Sequence, residues 1–358
     1  MKLVTLLVLC FIGMGPVLNS QAGQGEEYGL YSAVQEHINE YPADPEGLHK
    51  AAKLLGELVV INPQGVHTFV AMGRLTYKNG YISGDNFHPE ALKKARAFFS
   101  EAIRSDPTFF DIYYYSVYLS LYEKNIEEAK RMAGLAAKLA PGSPRVDLAY
   151  AEIAKREGDF QEVERRAKVI LQGTNERKLV HNAHVLLAWM YTKQKRDDLA
   201  EQEHLALTQM VPPSPWDKSS YSQFLTARGR YDEAIEEGKQ ALALMDFGMG
   251  HHILSYAYYK KAADLLWKEK RPEEAKTYFT EALLHEPTNP DAHYGLGVVY
   301  LRFANDQGNS EELNKEELNK AEQEFIKAIM LKPDHPQARD TLNRLRQHRQ
   351  TLNKKAYG

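Results

Sequence analysis

Few side chains in this 358-residue sequence stand at spacings that could carry chemistry. His181 and His184 fall one turn apart on a predicted helix, and His251 and His252 are adjacent. Imidazole is a common metal ligand, but a centre needs three or four convergent donors. Neither pair has a carboxylate or a further histidine at a suitable spacing, so both read as surface or inter-helix histidines. The carboxylate pairs Glu236/Glu237 and Glu273/Glu274 could share acid–base work, yet they belong to charge runs of the kind found on solvated helix faces. The chain contains no phosphate-binding glycine loop, serine-centred elbow or zinc-protease helix. Gly295 and Gly297 lie inside a helical pattern and read as a packing pair. These residues predict no cofactor, no metal and no catalytic centre.

The elements that would position any site are more legible. Residues 108–141 set the pattern: an aromatic helix containing IYYYSVYLSLY, then a helix marked by Ala129, Ala133 and Ala136 and closed by Pro141. The preceding segment closes in the same way with Ala95, Phe99, Ala102 and Pro107, and the two prolines are 34 residues apart. Residues three and four apart share one helix face, where alanine lets a neighbouring helix approach closely. Proline then ends the helix and sets the turn. The ladder returns complete at Ala275, Phe279, Ala282 and Pro287, and again at Ala321, Phe325, Ala328 and Pro333. The last follows HYGLGVVY, with Leu296, Gly297 and Tyr300. A fixed period of this length marks stacked helical hairpins, none of which can bury its apolar face alone.

This pattern resembles the tetratricopeptide repeat of exported bacterial proteins. The resemblance implies an all-α fold: a right-handed superhelical solenoid of antiparallel helix pairs over residues 47–333, with a capping helix and tail over 334–358. Roughly seven repeats and about sixteen helices are expected, with no sheet. Residues 23–46 are polar and broken by Pro42 and Pro45, and read as a tether with a degenerate first helix near residues 31–41. The insertion KNGYISGDNFHPE is too long for a tight inter-helix turn and is expected to project from one edge. A second insertion carries EELNK twice. Its Glu311 and Glu316 stand four residues before Lys315 and Lys320, the orientation that supports a helix, so this insertion is expected to lengthen one.

Composition fits a folded body with large solvated faces, at 43% hydrophobic and 26% charged residues. A net charge of -3 gives no global reason to bind nucleic acid. Residues 1–22 combine Lys2, an apolar run and the small residues Ser20 and Ala22 before Gly23, the pattern of a cleavable secretory signal. The expected location is periplasmic or secreted, with no transmembrane segment in the mature chain. Cys10, the only cysteine, would leave with the leader, and with it any disulfide or thiolate chemistry. Leu9 stands where a lipoprotein signal needs a small residue.

In tetratricopeptide arrays the first helix of each hairpin lines the concave groove. Carried over by alignment, this places Arg74, Tyr77, Tyr114, Tyr118, Tyr122, Arg156, Trp189, Lys193 and Trp216 towards a partner. Aromatic residues beside arginine and lysine compose protein-binding surfaces. The lysine–asparagine clamp that holds acidic C-terminal tails in some of these arrays is missing, since the aligned pairs are Val70 with Arg74, Tyr114 with Tyr118 and Val185 with Trp189. An aromatic-rich peptide or helix is the expected guest. The implied function is a non-enzymatic exported scaffold that binds protein partners, in the setting of an envelope complex. The alternative is an enzyme or metal-binding protein with its site in the insertions at residues 78–90 and 303–320.

Overall fold

The computed structural model describes residues 21–40, 46–84, 86–305 and 311–356. The leader expected at residues 1–22 lies outside them, apart from Gln21 and Ala22, which open the first helix. Among the described residues the chain forms 17 helices and one two-stranded ribbon, and consecutive helices pack as pairs. The fold is the expected all-α array of tetratricopeptide type.

The ladder explains the pairing. Ala95, Ala102, Ala129, Ala133, Ala136, Ala275, Ala282, Ala321 and Ala328 are all fully buried, and Phe99, Phe279 and Phe325 are buried among them. Two of these rings occupy room left by a missing side chain: a Cβ on Gly73 would stand 2.5 Å from the Phe99 ring, and one on Gly297 would stand 2.7 Å from Phe325. Helices can approach that closely only at glycine. Most pairs turn through one residue with positive φ. Gly158 and Gly229 sit at 76°, whereas Lys124 (61°), Lys195 (59°) and Lys270 (59°) hold the same conformation with a side chain attached.

The chain divides into two compact units, Met1–Glu203 and His204–Gly358. The first contains α1 (Gln21–Glu40), α2 (Gly47–Ile61), α3 (Val66–Asn79), β1 (Tyr81–Ser83), β2 (Asn86–Phe87), α4 (Pro89–Ser105), α5 (Phe110–Tyr122), α6 (Ile126–Leu139), α7 (Pro144–Glu157), α8 (Phe160–Gly173) and α9 (Arg177–Lys193). The division falls in α10 (Asp197–Thr208).

Two expectations are corrected in this unit. The segment read as a tether is mostly helix: α1 begins ten residues before residue 31 and buries Tyr31, Val34 and Ile38, one face at spacings of three and four. The insertion after α3 folds back. β1 and β2 pair antiparallel around Gly84, and Phe87 packs its ring 4.3 Å from Tyr122 and 5.5 Å from Tyr81. Tyr81 and Phe87 give the ribbon one apolar face, which must cover something, while Ile82, Ser83, Gly84 and Asn86 stay exposed. Within the unit, first helices of successive pairs touch, α3 with α5, α5 with α7 and α7 with α9. Second helices make no comparably extensive contact with one another, so the first helices line the inner side of the stack.

The second unit contains α11 (Pro215–Ala227), α12 (Tyr231–Leu244), α13 (Gly248–Trp267), α14 (Pro272–His285), α15 (Pro290–Ala304), α16 (Glu311–Leu331) and α17 (Pro336–Ala356). The EELNK repeat does lengthen a helix: α16 runs 21 residues, and Lys320 pairs with Glu316 at 2.7 Å. α17 closes the unit by packing Leu342 and Leu345 onto the cluster around Phe325.

Candidate functional site

The most unusual chemistry among the described residues lies on the first helices of the first unit. Arg74, midway along α3, is only 3% exposed. Its Nη1 donates to Gln35 Oε1 and its Nη2 to Asn39 Oδ1 at 2.8 Å, both on α1. Its guanidinium lies 3.9 Å from the centre of the Tyr115 ring. No carboxylate among the described residues pairs with it. Burial works against its charge, but the hydroxyls of Tyr115 and Tyr77 outweigh burial and raise its pKa above the ordinary arginine value.

A second guanidinium shares the same ring. Arg145, the second residue of α7, lies 4.1 Å from the Tyr114 ring centre, 4.8 Å from Phe110 and 5.6 Å from Tyr115. It pairs with Asp111 at 2.7 Å, and Asp111 also accepts from the Tyr31 hydroxyl at 2.5 Å. Burial pushes the Tyr115 hydroxyl up to about 12 against the pull of Arg74. The Tyr114 and Tyr118 hydroxyls lie 3.2 Å apart, and burial drives Tyr118 well above the ordinary tyrosine range.

Two lysines complete the cluster. Lys78 is one helical turn beyond Arg74 and half-buried, and burial followed by the charge of Arg74 lowers it to about 8. Lys178, the second residue of α9, is solvent-exposed and yet lowered to about 7. Burial comes first, then the positive charges of Arg74, Lys78 and Arg145, with Glu176 opposing. Neither lysine makes a hydrogen bond or ion pair among the described residues.

The expected site residues divide by exposure. Arg74, Tyr77 and Tyr114 are buried; Tyr118, Tyr122, Arg156 and Trp189 are half-buried; Lys193 is exposed. The tyrosine stripe exists as a chain of ring contacts, Tyr114 to Tyr118 at 5.3 Å and Tyr122 to Tyr77 at 5.9 Å, with Phe87 lying over Tyr122. It presents ring edges where the sequence suggested an open ladder. Trp189 rests 5.8 Å from Phe160, with Lys155 Nζ 5.5 Å from its ring. Trp216 belongs to the second unit and packs 4.4 Å from Phe247. Sequence reasoning missed Lys78, Tyr115, Arg145 and Lys178. One signal was present: Arg145 and Lys178 hold the same position, the second residue, in successive first helices.

The histidines have ordinary partners. His184 Nδ1 meets Glu203 at 2.6 Å, His252 meets Glu286 at 3.1 Å, and His251 lies between His285 at 3.0 Å and Asp246 at 2.6 Å. Among the described residues no three or more His, Cys, Asp or Glu side chains gather as a metal-ligand set. No helix among them is long and apolar enough to cross a membrane.

Comparison with known proteins agrees with this architecture. Residues 266–308 match the family model of the tetratricopeptide repeat. No curated protein sequence matches the chain. Among solved structures, the chain is similar to the APC/C hetero-tetramer Cut9–Hcn1, with 14% identity and a TM-score of 0.51 over 83% of this chain and 52% of that one. It is also similar to yeast Tom70, with 15% identity and a TM-score of 0.50 over 99% of this chain and 72% of that one. It thus spans about half the length of the first. Such identities speak to fold alone. The chain thus carries a tetratricopeptide repeat at residues 266–308 within an all-α array of tetratricopeptide-like fold.

Proposed function

We propose that this protein is a non-enzymatic, exported scaffold that holds a segment of a protein partner along the first-helix side of its first unit, in the assembly of an envelope complex. The observation that carries this reading is that the first helices present half-buried Tyr118, Tyr122 and Trp189, with Tyr122 5.9 Å from the Tyr77 ring beside Lys78, a lysine without a carboxylate partner among the described residues. Aromatic rings offer contact area at little rotamer cost, and arginine and aromatic residues dominate hot spots. Export is supported by the leader pattern and is compatible with the fold, because cleavage after Ala22 would spare the buried face of α1.

Co-purification from the native envelope tests the reading. Trp189→Ala and Tyr118→Ala should each weaken capture of the partner by roughly thirtyfold, the cost of a hot spot at about 2 kcal/mol. Glu127→Ala, on a second helix and exposed, should leave capture unchanged. Tyr118→Ala must also keep the wild-type melting point. If it unfolds the array while Trp189→Ala binds normally, this side is packing and not a binding surface. Edman sequencing of the native protein should begin at Gly23; Met1 at the terminus would contradict export by cleavage.

A further inference from the structure

We infer that the insertion after α3 builds a small-molecule site, and that this site takes an aromatic carboxylate. The assignment does not depend on the partner-binding reading above. A cavity of about 470 Å³ opens between the ribbon, the N-terminal end of α4 and the C-terminal end of α5. Sites for small molecules occupy roughly 300–1,000 Å³. β2 supplies Phe87, α4 supplies Leu92, Lys93 and Arg96, and α5 supplies Tyr122, with Lys124 in the turn that follows. A hairpin with a tight turn would lack the wall that β2 provides, so the cavity is a product of the insertion.

Its floor is apolar. Phe87 and Leu92 are buried and Tyr122 is half-buried, and the Phe87 and Tyr122 rings lie 4.3 Å apart at 35°. A third, flat ring can pack beside this pair in the offset or edge geometry that aromatic groups favour. Charge is confined to the rim, and part of it is already matched: Arg96 Nε donates to Glu123 Oε1 at 3.1 Å, and its Nη2 donates to the other oxygen. Lys93 and Lys124 are exposed and make no hydrogen bond or ion pair among the described residues. Two free ammonium groups beside an apolar floor select a ligand with one charged end and a flat apolar body. Each ammonium can donate to a carboxylate, while the ring fills the floor. A phosphate suits the cavity less well, because the guanidinium fork that would hold it bidentately is taken by Glu123, and that carboxylate repels a second negative charge.

Equilibrium dialysis of the full chain at pH 7 against 2-naphthoate, naphthalene-2-carboxamide and 2-naphthyl phosphate tests the assignment. The naphthoate should bind saturably, the other two more weakly, and excess acetate should not displace it. Lys93→Gln and Lys124→Gly should each weaken naphthoate binding by about fivefold, the upper range for an exposed ion pair. Lys94→Gln, on the same helix but outside the cavity lining, should leave it unchanged. Neither cavity variant should lower the melting temperature: Lys93 is exposed, and glycine relieves the positive φ of Lys124. Equal binding of the carboxamide would reveal an apolar cleft that makes no use of charge, and tighter binding of the phosphate would reveal a phosphoryl site; either result overturns the assignment. So would displacement by acetate, wild-type affinity in both cavity variants, an equal loss in Lys94→Gln, or no saturable binding of naphthoate by the folded chain.

Discussion

Two lysines of the first unit contrast with the paired lysines of the second. In the second unit Lys218 pairs with Glu237 at 3.0 Å, Lys261 with Asp232, Lys268 with Asp264 at 2.7 Å and Lys327 with Glu324 at 2.7 Å. Burial works against the charge of Lys261, yet its bonds to Asp232 and Tyr278 raise its pKa above the ordinary value. Asp264 does the same for Lys268, and Glu316 with Glu317 for Lys320. In the first unit Lys130 pairs with Glu157 at 2.6 Å and Lys168 with Glu164 at 2.7 Å, but Lys78 and Lys178 have no such partner among the described residues, and burial, followed by the charge of Arg74, lowers both. Both units stand on the same alanine–phenylalanine ladder, so packing does not separate them. The difference lies at two positions: Lys78 and Lys178 lack the carboxylate that Lys218, Lys261, Lys268 and Lys327 hold.

The largest expected effect checks that the packing is common to both. Phe99→Ala in the first unit and Phe325→Ala in the second should each cost about 3–5 kcal/mol, read from denaturant unfolding. A much smaller loss at Phe99 would mean that the units differ in packing after all. The next effect concerns charge. Lys261→Gln should lower stability by at most about 1 kcal/mol, as for other ion pairs with an exposed partner. Lys178→Gln should raise the melting temperature instead. Because the folded pKa of Lys178, about 7, lies below its unfolded value, the unfolded chain binds more protons between those values. Wild-type stability should therefore climb with pH from about 7 towards 10, and the advantage of Lys178→Gln should fade over that range. Equal pH slopes for wild type and Lys178→Gln would break the comparison. The smallest effect should be alike in both units: Lys124→Gly and Lys270→Gly relieve a positive φ and should each stabilise by about 0.5–1 kcal/mol. Melting curves would check both.

The ladder could be read because it depends on local spacing. Ala95, Phe99 and Ala102 announce their helix face, and Gly73 marks the gap that Phe99 fills. Glu316 and Lys320 likewise form their bond within one helix. The α1 core was also written locally, in Tyr31, Val34 and Ile38, but the prolines at 42 and 45 drew the reading towards a tether. The ribbon over Tyr122 left only a faint trace, two aromatics either side of a glycine-containing turn. The cation cluster could not be read. Lys78 and Lys178 lie a hundred positions apart, and their meeting depends on how α3, α5, α7 and α9 stack, which no pair of neighbouring residues encodes. Tyr114 shows the converse: its helix side was predictable, but not that Arg145 would cover it.

The most direct test of this contrast is an NMR titration of the lysine ammonium groups, following Lys178 and Lys261 in the same sample. Lys178 should titrate near 7, while Lys261 stays above the ordinary lysine range. If Lys178 titrates alongside Lys261, its charge is compensated in the first unit as well and the contrast is wrong.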